Sequence, residues 1–241
     1  MIQNLFPDQE YYTPISCNTN ANTCMQTKPL FLAREHVLNL YINYRFTHRF
    51  ICSPTHLVEL CVGWLCSEGY INTVCDIQKL QISEDGHTAQ VSLGAPRKST
   101  PDLLPAFTPL NEPLLKRAAT LMQSPNSVYS KTHGTHGCIY IDGAFSLFRE
   151  DISRNNALDK TIGAALIQEI PIQKGIMFFS GRISSEIVLK TVYAGIATIA
   201  SKATATAEAL ETASNFKQKL VFFNRGNYYT RENTTHYAEQ G

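Results

Sequence analysis

The sequence predicts a small N-terminal α+β region followed by an α/β domain, and three observations carry that reading. Beyond residue 176, short apolar runs alternate with helical patterns at βαβ spacing, which builds a parallel sheet. Before residue 94, strand-like alternation and hairpin signals surround one strongly amphipathic helix. Between the two, Gly94 to Pro113 carries five prolines (Pro96, Pro101, Pro105, Pro109, Pro113) and almost no periodicity, as in an extended connection. The expected division is therefore an arm at 1–30, an α+β domain with its connection at 31–112, and an α/β domain at 113–241.

Residues 1–30 are polar and aperiodic around NTNANT, so a loosely held arm is expected, with Cys17 and Cys24 incidental. Leu38, Leu40 and Ile42 alternate with Asn39 and Tyr41, which marks a half-buried strand, and 46–51 should return antiparallel to it. Ser53-Pro54 has the chemistry of a helix start, Ser as N-cap and Pro at the first helical position. Leu57, Leu60, Cys61, Trp64 and Leu65 then fall on one helical stripe, with Gly69 as its stop. Cys61 reads as a core thiol, and Cys66 lies just off the stripe. Leu80 and Ile82, then Ala89, Val91 and Leu93, flank Asp85-Gly86 as a hairpin. Leu114, Leu115, Ala118, Leu121 and Met122 make one further helix. In the second half, strands are expected at 176–179, 196–200 and 219–223, and helices at 184–195 and 204–214.

Composition sets bounds on function. With 21 basic and 20 acidic residues, the charge gives no reason for bulk binding to nucleic acid or to an anionic membrane. No stretch approaches the ~18 apolar residues of a membrane span, and the N-terminus has neither the basic nor the apolar segment of a secretory signal. Seven cysteines, an odd number in a chain of 241 residues, read as reduced thiols of a cytoplasmic protein rather than a disulfide framework.

The stretch 132–160, THGTHGCIYIDGAFSLFREDISRNNALDK, is chemically the densest. Ile139-Tyr140-Ile141 and Phe145-Ser146-Leu147 flank Asp142-Gly143, a hairpin signal. A helix is expected to start near Asn156 as N-cap, with Asp159 in a capping-box position. Gly163 would allow close packing of that helix. Its N-terminus, beside alternating acids and bases, suits a polar, phosphate-bearing ligand. His133, His136 and Cys138 are zinc-ligand types. The zinc deaminases, however, use H-x-E with a distant P-C-x-x-C, and no C-x-x-C occurs in this chain, so no metal is expected.

Three blocks resemble the formate dehydrogenase accessory, or sulfur-carrier, family FdhD. EDISRNNALDKTIG (150–163) resembles its E-D-x-G-R-H-N-A-x-D-K-x-x-G signature, SGRISSEIVLKTVYAGI (180–196) its S-G-R element, and SPTHLVELCVGWLCSEGYI (53–71) its S-P to S-E-G-x-I element. The resemblance spans roughly 30–231. It implies a cytidine-deaminase-like second half that binds molybdopterin guanine dinucleotide, with GDP or a related guanine nucleotide as surrogate. It also implies partnership with formate dehydrogenase and a cysteine desulfurase, and leaves a homodimer open.

The same resemblance nominates the residues of the site. In the central stretch these are His136, Glu150, Asp151, Arg154, Asn156, Asp159 and Lys160. Around the strand-to-helix turn after 179 they are Ser180, Gly181, Arg182, Ser184, Glu186 and Lys190, followed by Thr206. Phe223, Asn224, Arg225, Gly226 and Asn227 complete the set. From the residues alone, Ser180-Gly181-Arg182 sits where a parallel sheet binds ligands, and Arg182 can grip a phosphate bidentately. Glu186 and Lys190, at i and i+4, also read as a plain surface pair.

The chain departs from the family pattern where sulfur chemistry is concerned. Members that transfer sulfur carry a C-x-x-C in the loop between the halves, whereas GAPRKSTPDLLPAFTPLN (94–111) contains no cysteine. Asn155 stands where the signature has histidine, and Ala203-Thr204-Ala205-Thr206 where it has S-x-P-T. Cys138, beside His136, is then the best candidate for a persulfide, since a neighbouring imidazole could stabilise its thiolate. A buried Cys138 would instead leave a cofactor-binding chaperone or docking module. A nucleotide-processing enzyme on a deaminase-like scaffold is the third reading.

Overall fold

The computed structural model describes residues 1–19, 26–94, 104, 112–124, 127–224 and 227–231. The first half contains β1 (Ile2–Asn4), β2 (Tyr12–Thr19), β3 (Gln26–Ala33), β4 (His36–Ile42), β5 (Arg45–Cys52), α1 (Leu57–Ser67), β6 (Ile77–Ile82) and β7 (Thr88–Leu93). The second contains α2 (Glu112–Met122), α3 (Val128–Thr132), β8 (His136–Asp142), β9 (Phe145–Asp151), α4 (Arg154–Ile167), β10 (Ile176–Phe179), α5 (Ser185–Tyr193), β11 (Thr198–Ser201), α6 (Ala207–Asn215), β12 (Lys219–Asn224) and β13 (Asn227–Arg231).

One sheet runs β1-β6-β7-β4-β5 and a second runs β13-β12-β11-β10-β8-β9. In the second sheet β10, β11 and β12 are parallel, linked through α5 and α6, as the alternating pattern predicts. Period-2 alternation explains why both faces of this sheet are covered. Met177 and Phe179 face α4 and α5, while Ile176 and Phe178 join Leu115, Ala118 and Met122 of α2 on the other side. The larger core is continuous from Leu38 and Leu40 of the first sheet, through α1 and α4, to Met177 and Phe179 of the second.

The two halves meet at the α1–α4 crossing. A Cβ on Gly63 would lie 1.7 Å from the carbonyl oxygen of Asp159, and one on Gly163 would lie 1.9 Å from that of Glu59. The helices therefore touch backbone to backbone, which only glycine permits. The expected stripe Leu57, Leu60, Cys61, Trp64, Leu65 is buried, but so are Val62, Gly63 and Cys66, because α4 covers a second face of α1.

Four expectations need correction. The first 30 residues hold paired strands where a loosely held arm is expected: β1 pairs in parallel with β6, and β2 pairs with β3 from Tyr12↔Ala33 to Thr19↔Gln26. Ser53-Pro54 does not cap α1; His56 occupies the N-cap position with φ 53. Helix α4 begins at Arg154 with Ser153 as N-cap, so Asn156 lies inside the first turn and Asp159 has no capping role. The hairpin loop is Gly143-Ala144, one residue later than expected, since Asp142 pairs with Phe145 and the positive φ of 53 falls on Gly143. No helix among the described residues is long and apolar enough to cross a membrane.

Candidate functional site

Strands β10 and β11 are parallel neighbours, so the residues just past their carboxyl ends, Ser180 and Lys202, come to one sheet edge. Strand β8 runs antiparallel to β10 with Cys138 opposite Phe179, which brings its first residues, His136 and Gly137, beside Ser180. A cavity of about 300 Å³ opens here, lined by His136, Gly137, Ser180 and Lys202 on one side and by Met122, Tyr129, His133, Gly134, Thr135 and Glu150 on the other. That volume is at the lower end for small-molecule sites.

The polar atoms of the cavity are held firmly. The Ser180 hydroxyl lies 3.1 Å from His136 Nδ1 and accepts the Gly137 N–H at 3.1 Å. Glu150 accepts the N–H groups of Val128 at 2.8 Å and Tyr129 at 3.0 Å, and the Thr135 hydroxyl at 3.1 Å. It thus fastens the start of α3, whose last turn delivers His133 in the left-handed conformation (φ 51) to the cavity wall. Lys202 Nζ sits 5.6 Å above the Tyr129 ring. Burial, assisted by the charges of Arg154 and Lys202, holds the His136 imidazole below its ordinary range and hence neutral near pH 7.

Behind the cavity lies a second polar region, whose Asp151, Asp159, Lys160 and Lys190 are buried. The Asp151 carboxylate accepts from Ser53 N at 2.9 Å, Ser153 N at 2.9 Å and Asn156 Nδ2 at 3.1 Å, and lies 2.6 Å from Lys160 Nζ. Lys160 also donates to the Ser53 carbonyl at 3.2 Å, and Asn156 to that of Ile51 at 2.8 Å. One turn along α4, Asp159 takes the Ser67 hydroxyl at 2.7 Å and Lys190 Nζ at 2.9 Å, and Glu68 lies 3.6 Å from the same ammonium. Burial works against the Lys190 charge, but Asp159 together with Glu68 and Glu186 offsets it and holds the ammonium above its ordinary range. Arg149 Nη2 binds Glu59 at 2.7 Å in the same seam.

The chain matches the model of the FdhD/NarQ family over residues 33–106 and 97–236. It belongs to that family. It is 33% identical over 219 residues to a protein named sulfur carrier protein FdhD from Staphylococcus haemolyticus, covering 79% of this chain and 83% of the relative. A Staphylococcus aureus (strain JH9) protein of the same name is 30% identical over 219 residues, with the same coverage of 79% and 83%. A solved structure described as a formate dehydrogenase accessory protein from Desulfotalea psychrophila shares the fold, with a TM-score of 0.78 at 23% identity over 92% of this chain and 97% of that one.

In this FdhD/NarQ member the signature residues part company. His136, Glu150 and Ser180 line the cavity. Asp151, Asn156 and Lys160, and likewise Asp159 and Lys190, do not: each finds its partners in the buried seam between the halves. Arg154 extends over Gly181, where a Cβ would come within 2.7 Å of its side chain, and its Nε is buried without a partner. Glu186 accepts from Asn155 Nδ2 at 2.8 Å and makes no bond to Lys190. Ser184 and Thr206 cap α5 and α6 through their hydroxyls. Arg182 is exposed and outside the cavity lining. Phe223 donates its N–H to the Ala203 carbonyl at 3.1 Å. Arg225 and Gly226, and the side chains of Asn224 and Asn227, lie outside the described residues, as does the connection 95–111 apart from Leu104.

Cys138 cannot act as an accessible thiolate in this structure. It is fully buried on the α4 side of β8, and burial pushes its thiol up to about 12. Among the described residues no group of three or more His, Cys, Asp or Glu side chains could hold a metal ion. Sequence reasoning missed Lys202 and Tyr129. The available signal for Lys202 is its place directly after a parallel strand, the same signal that singles out Ser180.

The histidines make the fold acid-sensitive. His36, His48, His56 and His136 are all held below the ordinary imidazole range, chiefly by burial. As pH falls through about 6.5 the unfolded chain takes up protons that the folded chain accepts only at lower pH. Stability should therefore be complete above that value and decline below it, levelling only once the folded-state values are passed. Urea midpoints at pH 7.5 and 5.5 check this, and equal midpoints would refute it.

Proposed function

We propose that this FdhD/NarQ member serves formate dehydrogenase maturation as a binding protein for molybdopterin guanine dinucleotide, holding the nucleotide part of that cargo in the cavity beside Ser180. The observation that carries the reading is the convergence of Lys202, His136 and Ser180 at the carboxyl ends of two parallel strands, which supplies a cation and a hydrogen-bond donor for phosphate. Tyr129 and His133 form an aromatic wall for a base, with their rings edge to face at 5.2 Å. The antiparallel β8–β9 pair followed by parallel β10, β11 and β12 supports a cytidine-deaminase-like kinship for this half.

Between chaperone and sulfur relay, the residues favour the chaperone. The loop 94–111 has no cysteine, and Cys138 is sealed in the core. Mass spectrometry after incubation with a cysteine desulfurase and cysteine should find no persulfide. An adduct on any cysteine would favour the relay reading that the relatives' names carry.

Calorimetric titration with GDP tests the site itself. Lys202→Ala should weaken binding about tenfold, since a charge-assisted contact contributes roughly 1.5–3 kcal/mol. Unchanged affinity would remove Lys202 from the site, and no GDP binding to the native protein would sink the nucleotide reading.

A further inference from the structure

His136 in the cavity wall shares a contact with Ser180 whose direction decides the ring's tautomer, and with it what the ring can recognise. The Ser180 hydroxyl has one proton and two lone pairs. One lone pair accepts the Gly137 N–H at 3.1 Å. The only other partner of that hydroxyl among the described residues is His136 Nδ1, also at 3.1 Å. Ser180 is held in place from its own backbone as well, its N–H donating to the Gly137 carbonyl at 3.0 Å. Among the described residues Nδ1 is the one acceptor placed to take the serine proton, so all three groups pair within the protein when Nδ1 is unprotonated. In that arrangement the ring proton sits on Nε2, and the ring's one hydrogen-bond contact among the described residues is the one at Nδ1.

We propose that Ser180 is a positioning residue that locks His136 as the neutral Nε2–H tautomer, and that this N–H is the cavity's donor to an anionic phosphate oxygen of the ligand. The inference rests on the nucleotide reading above for the ligand's identity, but not for the tautomer. Two features of the surroundings agree with it. Burial together with Arg154 and Lys202 disfavours the imidazolium, so the ring keeps one proton and one direction of donation. Lys202 lines the same cavity and supplies the charge that a neutral imidazole does not. The carboxylate of Glu150, also in the lining, is occupied by two N–H groups of α3 and the Thr135 hydroxyl, which makes it a wall rather than a competing acceptor for Nε2–H. A phosphate is thus gripped by one cation and one fixed neutral donor. Such a site selects for oxygen acceptors and against groups that would themselves donate.

Two-bond proton–nitrogen correlation spectra of the ¹⁵N-histidine-labelled full chain read the tautomer directly, with His136 assigned by its loss in His136→Ala. At neutral pH His136 should show protonated Nε2 and bare Nδ1. Ser180→Ala should return the ring to a mixture of tautomers, and Ser180→Thr, which keeps the hydroxyl, should restore the native pattern. Protonated Nδ1 in the native protein overturns the inference whether or not nucleotides bind. The ligand arm uses GDP, pyrophosphate and guanosine in calorimetry. His136→Ala should weaken GDP and pyrophosphate at least tenfold, and His136→Gln, whose amide N–H can stand near the place of Nε2–H, should recover most of that loss. Loss of guanosine binding with pyrophosphate unaffected would overturn the phosphate assignment. A locked Nε2–H tautomer in a protein that binds none of the three would instead refute the nucleotide reading while leaving the lock standing.

Discussion

Gly163→Ala should destabilise the protein by about 3 kcal/mol or more, the upper part of the range for overpacked cores. In isolation the change favours a helix, by up to about 1 kcal/mol. Here that gain is overwhelmed, because the new methyl would sit 1.9 Å from the Glu59 carbonyl oxygen and 2.8 Å from Gly63 N. Neither neighbour is a flexible side-chain tip. The helices α1 and α4 must move apart, and the core that runs through both of them loses its packing. Gly63→Ala should cost a similar amount, since its methyl would overlap the Asp159 carbonyl oxygen at 1.7 Å. Gly94→Ala is the control: the nearest atom to its new Cβ is the flexible end of Gln78 at 3.7 Å, and stability should change by less than about 0.5 kcal/mol. Urea unfolding of the three variants checks the ordering. A Gly163→Ala protein as stable as the Gly94→Ala control would mean that the crossing is looser than described.

Much of this seam is hidden from sequence reasoning, for reasons that lie in particular residues. The stripe of α1 and the alternation of β4, β6 and β7 are visible because burial on one face leaves a period in the sequence. Gly163 is legible as a packing glycine, since a glycine inside an apolar helical pattern has few other uses. The run from Glu150 to Lys160 is different. Its charges suggest a ligand, because a buried charge without a partner is costly. Sequence alone does not say whether the partner is a ligand or a distant part of the same chain. Asp151 finds Ser53, nearly a hundred residues earlier, and Asp159 finds Ser67 and Lys190. Only Glu150, at the start of the run, reaches the cavity, since in β9 it pairs with Gly137 next to His136. The hairpin β2–β3 is invisible for another reason: its polar, proline-containing strands carry no clean alternation. Its place is set by packing at α3, where Lys131 Nζ donates to the Tyr12 hydroxyl at 2.7 Å.

The second large effect is expected at Asp151. Asp151→Ala removes the carboxylate 2.6 Å from Lys160 Nζ and leaves an ammonium with no exposed surface, held only by the Ser53 carbonyl at 3.2 Å. Breaking one side of a buried pair costs roughly 3–5 kcal/mol, because the remaining charge stays desolvated without compensation. The Ser53, Ser153 and Asn156 donors lose their acceptor as well. Lys160→Met should be milder than Asp151→Ala, because the remaining carboxylate keeps those three hydrogen bonds and methionine fills the space of the lysine stem. The double variant Asp151→Asn with Lys160→Met removes both charges together and should cost less than the two single changes Asp151→Asn and Lys160→Met added. That difference is the coupling energy of the pair, read from a double-mutant cycle by urea unfolding. Additive single-variant costs would show that Asp151 and Lys160 contribute nothing as a pair. An Asp151→Ala variant losing less than about 1 kcal/mol would show that Lys160 reaches water.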